Sequence, residues 1–182
     1  MTISRVAALT GRPGVGKTTA LVRVVELLVK DGYKPGGFYT REVRQGGVRT
    51  GFEIVDLTSG ARAELASVGR VEGPRVGRYV VDVDSIRSVA VAGVKKALAE
   101  ADAVFVDEVG PMELLSREFV DVVREVLRSG RPALFTLHIS ARHSVVQEVR
   151  NHAGRNLYVL DMRNRDSVPY TVYGVMLGWL KS

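Results

Sequence analysis

Gly11 to Thr18 reads G-R-P-G-V-G-K-T, a full match to the phosphate-binding pattern G-x-x-x-x-G-K-[ST]. Glycines in such a loop let backbone N–H groups turn inward around phosphate oxygens. Lys17 offers a positive charge to the β and γ phosphates, and the Thr18 hydroxyl can ligate Mg²⁺. Upstream, Ile3 to Thr10 is apolar and reads as a buried strand. Downstream, Leu21, Val24, Val25 and Leu28 recur at helical spacing within Thr19 to Lys30. Strand, glycine loop and helix N-terminus thus occur in the order that sets a phosphate at the positive end of a helix dipole.

The rest of the chain alternates in the same manner. Gly37 to Arg44 reads as a strand, Gln45-Gly46-Gly47 as a hairpin turn, and Val48 to Leu57 as a half-buried strand alternating Val48, Thr50, Phe52 and Ile54 against Arg49, Gly51, Glu53 and Val55. After a turn at Thr58 to Gly60 comes a strand from Ala61 to Val68, then a loop from Gly69 to Gly77 and a short strand from Tyr79 to Val83. Asp84 is the expected N-cap of a helix from Ser85 to about Glu100. Three strand–helix units close the chain: Ala103 to Val106 with Ser116 to Arg128, Ala133 to Leu137 with His143 to His152, and Leu157 to Leu160 with a helix ending near Leu180. The expected fold is α/β, a mostly parallel sheet covered on both faces with an antiparallel hairpin and meander inserted, and residues 1–182 form one domain.

Composition sets the outer bounds. The 182 residues are 46% hydrophobic and 25% charged, ordinary values for a globular chain. No apolar run is long enough to cross a bilayer and no targeting signal is visible, so the cytoplasm is the expected compartment. With no cysteine, disulfides and thiolate metal sites are excluded. A net charge of +6 allows a nucleic-acid partner without favouring one, because the arginines are scattered singly and no RNA-binding aromatic motif accompanies them. Scarce Asn and Gln with abundant Arg, Glu and Val are compatible with heat adaptation.

Asp107 and Glu108 end the apolar run Ala103-Val104-Phe105-Val106, the arrangement of a Walker B strand. An acid in the place of Asp107 holds Mg²⁺ while the ion bridges the β and γ phosphates. Glu108, diverging from its neighbour at a strand end, can face the γ phosphate, where a carboxylate positions and deprotonates water. His138, His143 and His152 lack a close metal-binding spacing. Phe38, Tyr39 and Phe52 suit core or edge packing better than a binding platform, although an aromatic near the nucleotide could stack on a base.

These motifs, with F-Y-T-R-E-V-R-Q-G-G-V-R-T-G-F-E-I from Phe38, R-Y-V-V-D from Arg78 and V-F-V-D-E-V-G-P-M-E-L from Val104, resemble the THEP1 family of nucleoside triphosphatases over nearly the whole chain. The resemblance implies a RecA-like P-loop NTPase core, a three-layer sandwich with an extra strand between the phosphate-loop strand and the Walker B strand. It also implies slow, Mg²⁺-dependent hydrolysis of ATP, GTP, CTP and TTP or UTP to the diphosphate and phosphate, with broad base tolerance. Carried over by residue, the nucleotide site comprises Gly11, Arg12, Pro13, Gly14, Val15, Gly16, Lys17, Thr18 and Thr19, then Asp107, Glu108, Val109 and Gly110. Thr18 and Asp107 hold the metal; Lys17 and Glu108 are catalytic. Asn164 and Arg165 match a family pair that could lie over the base, whereas Arg163 departs from the usual Glu.

Two roles stay open. Thr136 matches the position that senses the γ phosphate, or is simply a β-branched strand residue. Arg44 and Arg49, flanking the hairpin turn, are candidates for stabilising transition-state charge, or are surface charges. A small kinase using the same loop, and a nucleotide-switched module binding RNA or protein, are alternatives to the hydrolase.

Overall fold

The computed structural model describes residues 3–182. One nine-stranded sheet runs in the order β5-β6-β4-β3-β2-β7-β8-β1-β9. Its parallel part contains β1 (Val6–Thr10), β7 (Ala103–Val109), β8 (Ala133–Leu137), β9 (Leu157–Val159) and the start of β2 (Pro35–Gln45). β8 lies between β1 and β7, as the family resemblance implies.

Alternation along these strands sends side chains to two cores, since successive side chains of a strand face opposite ways. Val6, Ala8, Val104, Val106 and Phe135 pack with the helices α3 (Ala92–Glu100), α4 (Arg117–Ser129) and α5 (Ser144–Ala153). Ala7, Leu9, Phe105 and Leu134 pack on the other face with α1 (Lys17–Lys30) and α6 (Val168–Lys181). The result is the expected three layers.

Beyond Phe38, β2 leaves β7 and pairs antiparallel with β3 (Val48–Asp56) around the Gly46-Gly47 turn. β4 (Arg62–Ser67), β5 (Arg75–Val76) and β6 (Tyr79–Val81) extend that meander, so part of the expected 69–77 loop is itself strand. A register shift at Phe52/Glu53 breaks the expected alternation of β3 and leaves both Ile54 and Val55 buried. Among the described residues, no helix is long and apolar enough to span a membrane.

Several boundaries differ from expectation for local reasons. The first helix begins at Lys17 rather than Thr19, which puts the last two residues of the phosphate loop within its first turn. Asp82, not Asp84, caps the next helix: its Oδ1 accepts from the Ser85 backbone N–H at 3.2 Å, ending β6 two residues early. That helix is not a continuous α-helix. A short α2 (Val83–Ser85) passes into a π segment, Ile86–Val91, before α3, and Ile86, Val91 and Val94 supply its buried side.

Candidate active site

The phosphate loop leaves β1 and enters α1 with Gly11, Gly14 and Gly16 all at positive φ. These are backbone conformations that side chains rarely adopt, so the glycines are required by the loop's shape. Lys17 is buried and its Nζ donates to the Gly11 carbonyl at 2.9 Å, folding the cation back over its own loop.

Asp107 is held from four directions. Thr18 Oγ1 donates to its Oδ2 at 2.8 Å, the Thr40 N–H to the same oxygen at 3.2 Å, and Thr136 Oγ1 to Oδ1 at 2.5 Å, while the charge of Lys17 acts from nearby. Burial still pushes its carboxyl above the usual range, with these donors and Lys17 opposing the rise. The Thr18 hydroxyl and the Asp107 carboxylate form a hard-oxygen pair at the mouth of the loop. Such a pair suits Mg²⁺, which takes one or two protein oxygens and completes its shell with phosphate and water. Thr136 is fully buried and spends its hydroxyl on Asp107, so it bears on the site through that carboxylate.

Glu108 follows across a cis peptide and faces the other way, into a cleft of about 590 Å³ that it shares with Gly14, Gly16, Lys17, Thr18 and Thr19. Burial, then the Asp107 charge, push its carboxyl up to about 7, against the pull of Lys17. A carboxyl poised there can exchange a proton near neutrality.

Glu113 had no role assigned from sequence, although it sits in the quoted V-F-V-D-E-V-G-P-M-E-L segment. It is buried, at 3% exposure, where the 3₁₀ turn Glu113–Leu115 folds back under β7. An oxygen of Glu108 and one of Glu113 come within 3.0 and 3.1 Å of the point where a β-carbon on Gly110 would stand, so a side chain there would crowd both carboxyls. Burial first, then the charge of Glu108, push Glu113 well above its ordinary range. An isolated Glu five residues past Glu108 gives little sign of burial. The signal lay in its apolar setting, Met112 before it and Leu114-Leu115 after.

The other expected residues divide. Pro13 lines the cleft; Arg12 is exposed, and Val15 packs into the core beside the loop. Val109 is buried against the helices, and Pro111 and Met112 take the place at the cleft wall. Asn164 organises its own loop, accepting from the Asp161 N–H at 2.8 Å and donating to the Val159 carbonyl at 2.9 Å. Arg165 lies over the phosphate loop, its Cδ 3.9 Å from the β-carbon position of Gly16. Arg44 is held at the hairpin by Glu42 and the Gly47 carbonyl, outside the cleft. Arg41 and Arg49 do line the cleft, as does Phe52; Phe38 and Tyr39 pack in the two cores.

A glycine loop between a buried strand and a helix, with its hydroxyl bonded to an acid two strands away, defines a P-loop NTPase. An NTPase family model matches residues 6–173. Nucleoside-triphosphatase THEP1 of Thermofilum pendens is 46% identical, covering 88% of this chain and 89% of its own. The THEP1 of Methanopyrus kandleri is 45% identical, covering 95% and 96%. Among solved structures, the crystal structure of THEP1 from the hyperthermophile Aquifex aeolicus superposes with a TM-score of 0.80 at 31% identity, over 94% of this chain and 98% of that one. The solution structure of a human cancer-related nucleoside triphosphatase gives 0.76 at 36%, over 98% of each. The chain belongs to the THEP1 family of nucleoside triphosphatases.

Proposed function

We propose that the protein hydrolyses ATP, GTP, CTP and UTP to the diphosphate and phosphate with Mg²⁺, slowly and with little discrimination among bases. The observation that carries this reading is the bonded pair Thr18–Asp107 beside a cleft-facing Glu108. Membership of a nucleoside-triphosphatase family supports the reaction class.

Loop amides and Lys17 bind the phosphates, Lys17 exchanging its bond to the Gly11 carbonyl for one to the β and γ oxygens. Thr18 and Asp107 would hold Mg²⁺, which supplies charge neutralisation between those phosphates. Glu108 orients a water in line with the γ phosphorus and takes its proton as the new P–O bond forms. The bond from γ phosphorus to the bridging oxygen then breaks, and the diphosphate leaves. Arg165, beside the loop, is the residue proposed to lie on the base through its flat guanidinium. Stacking reads no base edge, which accords with broad tolerance.

Slow turnover follows from how the cleft's arginines are engaged. Arg41 is paired with Glu53 and Arg49 with Glu42, and Arg49 also donates to the Tyr79 hydroxyl. An arginine free to meet transition-state charge can add roughly 10³ to 10⁵ in rate. Steady-state phosphate release over the four nucleotides, against a Lys17→Ala background, tests the reading. Release above background with similar kcat/KM for all four is expected; background-level release from every nucleotide contradicts it.

A further inference from the structure

The cleft reaches past the phosphate loop. From Lys17 and Glu108 it continues beneath the antiparallel extension, where Phe52, Leu65, Val76 and Tyr79 line it. Those residues stand on β3 to β6, while the loop carrying Arg165 follows β9 at the opposite edge of the sheet. With the base toward Arg165 and the γ phosphate at Glu108, the end under the meander lies beyond the nucleotide.

Its chemistry suits a flat, uncharged ring. The Arg49 guanidinium lies 5.1 Å from the ring centre of Phe52 and 5.6 Å from that of Tyr79. The two rings meet edge to face at 5.1 Å, and Arg78 stands 5.2 Å from the Tyr79 ring. Aromatic and guanidinium planes are what a nucleobase stacks on. The arginines here are already matched, Arg41 by Glu53 and Arg49 by Glu42. Neither lining arginine offers a further phosphate an unpaired charge, and Glu42, paired with Arg44 and Arg49, offers none to a cation. Toward Glu108 the lining turns polar, with Thr40, Glu113 and His138 able to bond hydroxyls. An apolar, stacking far end and a hydrogen-bonding near end match a nucleoside, ring outward and sugar inward.

We propose that the cleft holds a second ligand, an uncharged nucleoside, beside the γ-phosphate position, and that its occupancy slows hydrolysis by displacing the water next to Glu108. This rests on the nucleotide site proposed above. Adenosine is the probe, its binding measured by equilibrium dialysis on the free protein and on protein saturated with Mg²⁺ and the non-hydrolysable imido analogue of ATP.

Saturable binding is expected in both states. It should weaken at least tenfold in Phe52→Leu, which loses the ring, and in Met112→Trp, which fills the cleft from its other wall. The affinity for the analogue should stay unchanged in Phe52→Leu. Adenosine should also lower phosphate release at saturating ATP. Binding abolished by the analogue, insensitive to both substitutions, or absent at millimolar adenosine overturns the proposal. Should the analogue not bind while adenosine still binds the free protein in a Phe52-dependent way, the nucleotide site is refuted and the nucleoside site stands.

Discussion

Thr136 Oγ1 donates to Asp107 Oδ1 at 2.5 Å, inside the sheet and away from solvent. Thr18 and the Thr40 amide occupy the other oxygen, so the carboxylate is fixed by three donors before any ligand arrives.

Thr136→Val removes one of these donors while preserving shape. A hydrogen bond to a charged group contributes about 1.5–3 kcal/mol, and its loss leaves a buried carboxylate less favoured in its ionised form. Phosphate release should fall roughly tenfold, with a higher Mg²⁺ requirement. Thr136→Ser should restore both. Metal titrations of activity on the three proteins check this, and an unchanged Mg²⁺ dependence in the valine variant counts against it.

The Glu108 carboxyl, pushed up to about 7, must be ionised to accept a proton from water. Activity therefore rises with pH, and kcat/KM should inflect near 7 rather than near the ordinary 4.5 of a glutamate. A pH–rate profile with no inflection between 6 and 8 would be inconsistent with this.

Glu113 is raised well above the ordinary 4.5 by burial and by the charge of Glu108. A raised carboxyl stabilises the fold below its unfolded pKa, and that contribution is lost as pH climbs from about 4.5 through the folded value. Glu113→Gln mimics the protonated acid. It should leave activity within about threefold and raise Tm at pH 8, each 1 kcal/mol recovered giving roughly 2–4 °C. The gain should vanish at pH 4, which thermal melts at the two pH values resolve.

Gly37 has φ +109°, and a β-carbon on it would stand 2.0 Å from the Phe105 carbonyl oxygen. Neither backbone can yield, because β2 and β7 are hydrogen-bonded neighbours there. Gly37→Ala should cost about 3 kcal/mol or more, from clash and from the unfavourable φ together. Chemical denaturation measures it.

Local pattern reveals the parts of the molecule that local physics determines. The phosphate loop, the Gly46-Gly47 hairpin and the strand ending in Asp107 all show in short stretches, because turn geometry and period-two burial are local. The cap expected at Asp84 falls at Asp82 because two acids stand two residues apart where the helix opens, and only the fold selects between them. The π segment leaves no mark on the apolar spacing of Ile86 to Val94. Thr136 and Glu113 act through partners 29 and 5 residues away, and which face of a strand or turn meets the cleft depends on tertiary register. Arg49 could be seen as near a hairpin, but its stack on Phe52 and Tyr79 required β6 to cross beside β4.

The central claim is that Glu108 activates the attacking water. Phosphate release by Glu108→Gln, measured beside its affinity for Mg²⁺-ATP and with Lys17→Ala as background, addresses it most directly. The account predicts a rate loss of about 10²- to 10⁴-fold with nucleotide affinity retained. Release at the wild-type rate by a variant that binds nucleotide normally would contradict it.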